Sequence, residues 1–285
     1  MDNKDEIKET SFDTLVLSGG AINGIIMLGA LQHYKDKDLL QNIKTYVGTS
    51  VGSIICYLLI IGYTPVEIIV YLCTNNQVFQ KLKYFDINSA CRGDGATTFL
   101  HITEYLERMT TEKIGKLITM KDIKSLFGVN FICSTFNFTK STTEYISPDT
   151  HPDIPCLAAL RMSSNLPLVF ETYKYGNSFY VDGGICDNFP LKIGEENGER
   201  VLGLAVLQQL SSAEIYPQKN MLGYVYRLLS AMCKEMITTK IEHKADKSTV
   251  VILDTMNGMD LLNFNIDSKH KLDMFSFGYN QISTV

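Results

Sequence analysis

The sequence predicts an α/β fold of three layers, with a mainly parallel central sheet between helices. Short charge-free runs such as Thr14-Leu15-Val16-Leu17 and Val201 to Leu207 have the length and continuity of strands covered on both faces. Longer segments with apolar residues at helical spacing alternate with them. The 285 residues, 45% hydrophobic and 20% charged, suffice for a large globular core.

Taken in order, a polar lead of about a dozen residues precedes the first strand, Thr14 to Leu17. Ser18-Gly19-Gly20-Ala21-Ile22-Asn23-Gly24 breaks it, and Ile25 to Tyr34 is apolar nearly all round, as a core helix is. Asn42 to Val47 predicts a second strand, followed by Gly48-Thr49-Ser50-Val51-Gly52 and a charge-free helix from Val51. Thr64 as N-cap and Pro65 at the first helical position start another helix, to about Cys73. Residues 74–128 are mixed, with a turn at Asp94-Gly95 and helical patterns at Thr103 to Arg108 and Asp122 to Phe127. Val129 to Phe138 predicts a strand paired with Glu144-Tyr145-Ile146, and Ile154 to Met162 a helix. Glu171 to Tyr175 and Ser178 to Val181 form a hairpin turning at Gly176-Asn177, directly before Asp182-Gly183-Gly184. After the strand Val201 to Leu207, a Met-rich helical stripe from Met221 to Met236 reads as core rather than as a lipid-facing surface. Thr249 to Leu253 is a last strand, and Leu272, Phe275, Tyr279 and Ile282 share one face of a closing helix.

The net charge of −5 offers no basic face for nucleic acid. Seven cysteines, an odd number without a C-x-x-C pair, fit reduced thiols in an intracellular protein and predict no metal site. The acidic start Met1 to Glu6 is no secretory signal. The most apolar stretch, Val51 to Cys73, is interrupted by Gly62, Thr64-Pro65 and Glu67, so it predicts two buried helices rather than the ~20-residue span a membrane requires.

Two stretches carry chemistry. Gly48, Ser50 and Gly52 make a G-x-S-x-G elbow, in which close strand–helix packing lifts one serine into the open. The loop at Gly19, Gly20, Ala21 and Gly24 lies between strand and helix. It reads as a simple turn, a weak dinucleotide motif or an oxyanion hole, and only the last accounts for the serine elbow that follows. A serine needs a base. His101 and His151 have no accompanying motif, and His243 and His270 lie in charged segments. Asp182, at a strand end and followed by Gly183 and Gly184, is the alternative.

Three ordered motifs, Gly19 to Gly24, Gly48 to Gly52 and Asp182-Gly183-Gly184, resemble those of the patatin-like phospholipases. Ser164-Asn165-Leu166-Pro167-Leu168-Val169-Phe170 and Asp187-Asn188-Phe189-Pro190 look similar too, and Ala21 and Asn23 depart from the G-G-G-x-[K/R]-G pattern. The resemblance implies a patatin-like fold: a polar lead over 1–13, a catalytic core over 14–207 and a C-terminal part, 208–285, completing the same domain. It implies a Ser–Asp dyad without histidine and without cofactor: Ser50 as nucleophile, Asp182 as proton acceptor, and Gly19, Gly20, Ala21 and Gly24 around the oxyanion. The implied reaction is hydrolysis of a phospholipid or another acyl lipid, on peripheral contact with an intracellular membrane or in the cytoplasm. An acyltransferase on the same dyad and a catalytically weak lipid-binding module are the alternatives.

Overall fold

The computed structural model describes residues 11–75, 95–207, 221–256 and 266–283. The strands are β1 (Thr14–Leu17), β2 (Thr45–Thr49), β3 (Asn130–Asn137), β4 (Thr142–Ile146), β5 (Tyr173–Tyr175), β6 (Ser178–Asp182), β7 (Val201–Leu207) and β8 (Ser248–Asp254). They form one sheet of order β5-β6-β3-β2-β1-β7-β8, with β4 paired to β3. The segment β3-β2-β1-β7-β8 is parallel throughout, and β4, β5 and β6 add antiparallel pairs at one end.

The described helices are α1 (Gly24–Asp36), α2 (Val51–Ile60), α3 (Pro65–Thr74), α4 (Leu100–Ile114), α5 (Met120–Phe127), α6 (Cys156–Ser163), α7 (Gly184–Asp187), α8 (Leu191–Asn197), α9 (Met221–Glu242) and α10 (Ser268–Ser283). They cover both faces of the sheet, as side-chain alternation along β1 shows. Leu15 and Leu17 point into a large core with α1, α2 and α4, while Val16 points into a smaller one with Phe189, Leu191 and Ile237. Continuous apolar strands are therefore required at the centre of this sheet.

The start of α3 is a capping box: the Glu67 N–H donates to Thr64 Oγ1 (3.2 Å), and the Thr64 N–H to Glu67 Oε2 (2.7 Å). β2 begins at Thr45, three residues later than predicted, because the Lys44 N–H donates to the Asp13 carbonyl (2.7 Å) and ladder pairing starts at Thr14 opposite Thr45. β5 starts at Tyr173 because the Glu171 carboxylate turns away to accept the Phe99 N–H (3.1 Å) and pair with Arg161 (3.1 Å).

The stripe on α9 is not the core surface the sequence predicts. Ile237 is buried, but Leu228 and Met232 are about half exposed, and Leu229 and Cys233 face a cavity. Helical spacing places these residues on one face without specifying what covers it. The Met221, Leu222 and Val225 side chains, the polar lead through residue 10 and the predicted turn residue Asp94 lie outside the described residues. No single described helix is long and apolar enough to cross a membrane. α2 and α3 pass that test only as a pair, bent by 114°.

Candidate active site

The site is built at the carboxyl edge of the parallel strands, where open α/β sheets hold ligands. β1 runs into the glycine-rich loop, β2 into the serine elbow and β6 into Asp182. Ser50 sits between β2 and α2 at φ 55° and ψ −127°, a left-handed backbone that costs a non-glycine residue about 1–3 kcal/mol. The elbow is held there by close packing. A Cβ on Gly52 would fall 2.5 Å from the carbonyl oxygens of both Leu17 and Ser18. The Ser50 N–H donates to Ser163 Oγ (2.9 Å), which itself donates to the Ser134 carbonyl (2.7 Å).

Asp182 is buried, and the Gly184 N–H donates to its Oδ1 (2.7 Å). Its Oδ2 is buried without a hydrogen-bond partner among the described residues. The Ser50 hydroxyl lies near enough to this carboxyl to act on its proton affinity. Burial pushes Asp182 up to about 6, and the Ser50 hydroxyl and the Gly184 N–H oppose the rise. The carboxyl is thus a base poised near neutrality, at a strand end fixed by its backbone. The Asp182 N–H donates to the Asn165 carbonyl (2.9 Å), and the Gly183 N–H to the Ser163 carbonyl (3.2 Å).

The glycine-rich loop supplies fewer free donors than its sequence suggests. The Gly19 N–H donates to the Asn188 carbonyl (2.9 Å), and the Gly24 N–H is taken by carbonyls of the short helical turn Ala21–Asn23. Both therefore leave the predicted oxyanion set as donors. Gly19 keeps a steric role, since a Cβ there would meet Asn188 Oδ1 at 2.3 Å and Ser50 Cβ at 3.3 Å. The N–H groups of Gly20 and Ala21 have no partner among the described residues, and Ala21 adopts φ 48°. Asn23 is fully buried, with neither amide atom hydrogen-bonded among the described residues.

Ser50, Asp182, Gly20 and Ala21 line one cavity of about 130 Å³. Among the described residues no histidine lines it. Instead His101 and His270 pair with Glu104 and Asp267 on their own helical turns, and His151 bonds to Thr150. Among the described residues no cluster of His, Cys, Asp and Glu could hold a metal ion.

Arg161, Tyr145 and Lys240 support the site and carry no sequence signal of their own. Arg161 is buried, donates to Asn165 Oδ1 (2.5 Å) and the Glu171 carbonyl (3.0 Å), and stacks on Phe99 with its guanidinium 4.3 Å from the ring centre. Burial lowers it to about 10, with Glu171 opposing. Asp187 accepts from Lys240 Nζ and from the Tyr145 hydroxyl (2.6 Å), while its carbonyl accepts from Thr49 Oγ1 (2.8 Å). The segment after Asp182 is thereby tied to α9, β4 and the elbow.

A glycine-rich turn, a strained serine elbow and a buried aspartate on one sheet edge define a nucleophile-elbow α/β protein. The fold has counterparts in VipD from Legionella pneumophila (TM-score 0.54, 15% identity, covering 96% of this chain and 66% of that one). The type III effector ExoU also matches (TM-score 0.50, 14% identity, 95% and 52%). A family model of the patatin-like phospholipases matches residues 15–194, and the chain belongs to that family. Among curated relatives, the probable lipid hydrolase 463L of Invertebrate iridescent virus 6 is 38% identical over 193 residues, 66% of this chain and 64% of that protein. An uncharacterized protein, R571 of Acanthamoeba polyphaga mimivirus, is 26% identical over 286 residues, 97% and 94% of the two chains. This chain thus spans just under two thirds of the iridescent-virus protein and of VipD, and about half of ExoU.

Proposed function

We propose that the chain is a lipid acyl hydrolase of phospholipase A type, acting through an acyl-enzyme on Ser50 with Asp182 as general base. The observation that carries this is a strained, elbow-borne serine sharing one cavity with a buried carboxyl raised to about 6 and, among the described residues, no histidine. Family membership and the printed name of the viral relative, probable lipid hydrolase, support the substrate class.

Asp182 takes the Ser50 hydroxyl proton as Oγ attacks the ester carbonyl carbon. The N–H groups of Gly20 and Ala21 hold the resulting oxyanion, where loss of one such donor typically costs about 3–4 kcal/mol. The N-terminus of α2, beginning at Val51, adds a smaller favourable field. Collapse breaks the bond to the leaving oxygen, which receives the proton from Asp182. A water then gives its proton to Asp182 as it attacks the acyl carbon, and collapse of that second intermediate breaks the bond to Ser50 Oγ, which takes the proton back from Asp182 as the fatty acid leaves. The base contributes about 10²–10⁴-fold. Peripheral contact with a membrane surface belongs to the same proposal, since the substrate resides there. Purified protein should release fatty acid from phosphatidylcholine vesicles, and Ser50→Ala should not. Equal release by both would overturn the assignment.

A further inference from the structure

The antiparallel end of the sheet carries an apolar surface that the proposed chemistry does not use. In β3 and β6 the buried residues Thr135, Asn137, Tyr180 and Asp182 alternate with Phe136, Phe138, Phe179 and Val181. The latter share one face. Phe136 and Val181 are partly exposed, Phe179 is 44% exposed, and Phe138, at 65%, is the most exposed large apolar side chain among the described residues. The two outer rings stand on a rigid ladder rather than on a free loop. The Phe138 N–H donates to the Phe179 carbonyl (2.9 Å), and the Phe179 N–H to Thr139 Oγ1 (2.8 Å).

Register sets the position of this surface. Ser134 of β3 pairs with Thr49, the residue before Ser50, and β3 runs parallel to β2. Phe138 therefore stands about 13 Å beyond the serine's strand end, on the carboxyl edge where the site is built. Its charge also differs from that of the chain as a whole, which is −5. Across 138–142 and 172–179 the exposed charged side chains are Lys140 and Lys174. The carboxylates bordering these segments are engaged: Glu144 accepts from Asn137, Lys140 and Tyr180, and Glu171 pairs with Arg161. Lys174 lies over the Phe179 ring, 5.8 Å from its centre, and makes no ion pair among the described residues.

We infer that this end of the sheet docks on a phospholipid bilayer bearing anionic lipid, with Phe138 and Phe179 entering the boundary between headgroups and acyl chains and Lys174 meeting lipid phosphates. This rests on the reading of Ser50 as a lipid-cleaving nucleophile, and it names the surface that brings that serine to its substrate. Phenylalanine gains by leaving water for that boundary, while a lysine on its long stem keeps its charge at headgroup level. A second copy of the chain fits less well, because a self-complementary contact brings the same lysines together.

Co-sedimentation of Ser50→Ala with vesicles measures docking without catalysis. Binding should be tighter to mixed phosphatidylcholine and phosphatidylglycerol than to phosphatidylcholine alone. In that background Phe138→Ala should weaken binding about tenfold, and adding Phe179→Ala several-fold more, from the apolar area each ring returns to water. Lys174→Glu should weaken binding about tenfold on the mixed vesicles and leave phosphatidylcholine binding unchanged. In the Ser50 enzyme, the same changes should slow fatty-acid release from vesicles in proportion and leave cleavage of soluble p-nitrophenyl butyrate unaltered. Failure of Ser50→Ala to bind either vesicle, or undiminished binding by the double phenylalanine variant and by Lys174→Glu, would overturn the docking surface while leaving the hydrolase assignment intact. So would loss of a dimer in gel filtration without loss of vesicle binding, which would mark a contact between copies. Weakened binding as predicted, without cleavage of any ester by the Ser50 protein, would overturn the hydrolase assignment and leave a membrane-docking protein.

Discussion

Asp182→Asn separates what the aspartate does for the reaction from what it costs the fold. Burial raises the carboxyl from its ordinary 3.8 to about 6, so the folded protein holds this proton more tightly than the unfolded chain. The corresponding stability is fully present below pH 3.8 and is lost as the pH rises through about 6. At 1.36 kcal/mol per tenfold change in proton affinity, that interval amounts to about 3 kcal/mol at pH 8. Asparagine is uncharged and keeps an Oδ1 to accept the Gly184 N–H. Urea unfolding at pH 8 should therefore find Asp182→Asn about 2–3 kcal/mol more stable than wild type, with the difference gone by pH 4. Fatty-acid release should fall by about 10²–10⁴, the usual contribution of a general base. The wild-type kcat/KM should rise with pH through about 6 as Asp182 loses its proton. Equal stability at pH 8, or a gain that persists on acidification, would refute the buried-charge argument, and full activity would refute the base.

Other substitutions test the scaffold. Ser50→Gly relieves a left-handed backbone at φ 55° and should stabilise the fold by about 1 kcal/mol in thermal or urea unfolding while abolishing hydrolysis. Gly52→Ala forces a Cβ against two backbone carbonyls and should destabilise by about 1–3 kcal/mol, with slower labelling of Ser50 by a fluorophosphonate. Lys240→Met strips the buried Asp187 carboxylate of its cation. Because Lys240 keeps 27% exposure, the loss should be about 2–3 kcal/mol, below the ~3–5 of a fully buried pair, and Asp187→Asn in the same chain should recover most of it.

The central sheet was legible because β1 and β7 are buried on both faces and read as unbroken apolar runs. Edge elements were less so: β5 is shorter than its sequence pattern because Glu171 is drawn to Arg161 and the Phe99 N–H, a tertiary contact no local pattern records. The strand-end positions of Ser50, Asp182 and the Gly19–Gly24 loop were legible because each follows a strand with glycines that permit close approach. Which N–H groups of that loop stay free was not, since Gly19 is taken by the carbonyl of Asn188, far away in sequence. Nor did sequence indicate that Lys240 and Tyr145 converge on Asp187, as their side chains come from separate elements. The α9 stripe failed for a related reason. Spacing sets a face, and only the fold decides whether core, cavity or solvent meets it.

Intact-mass analysis after treatment with a fluorophosphonate, followed by peptide mapping, tests the central claim most directly. A single adduct should form on the peptide carrying Ser50, be absent from Ser50→Ala, and form at least 100-fold more slowly in Asp182→Asn. An adduct on another serine, or equal labelling rates in wild type and Asp182→Asn, would contradict the Ser50–Asp182 pair.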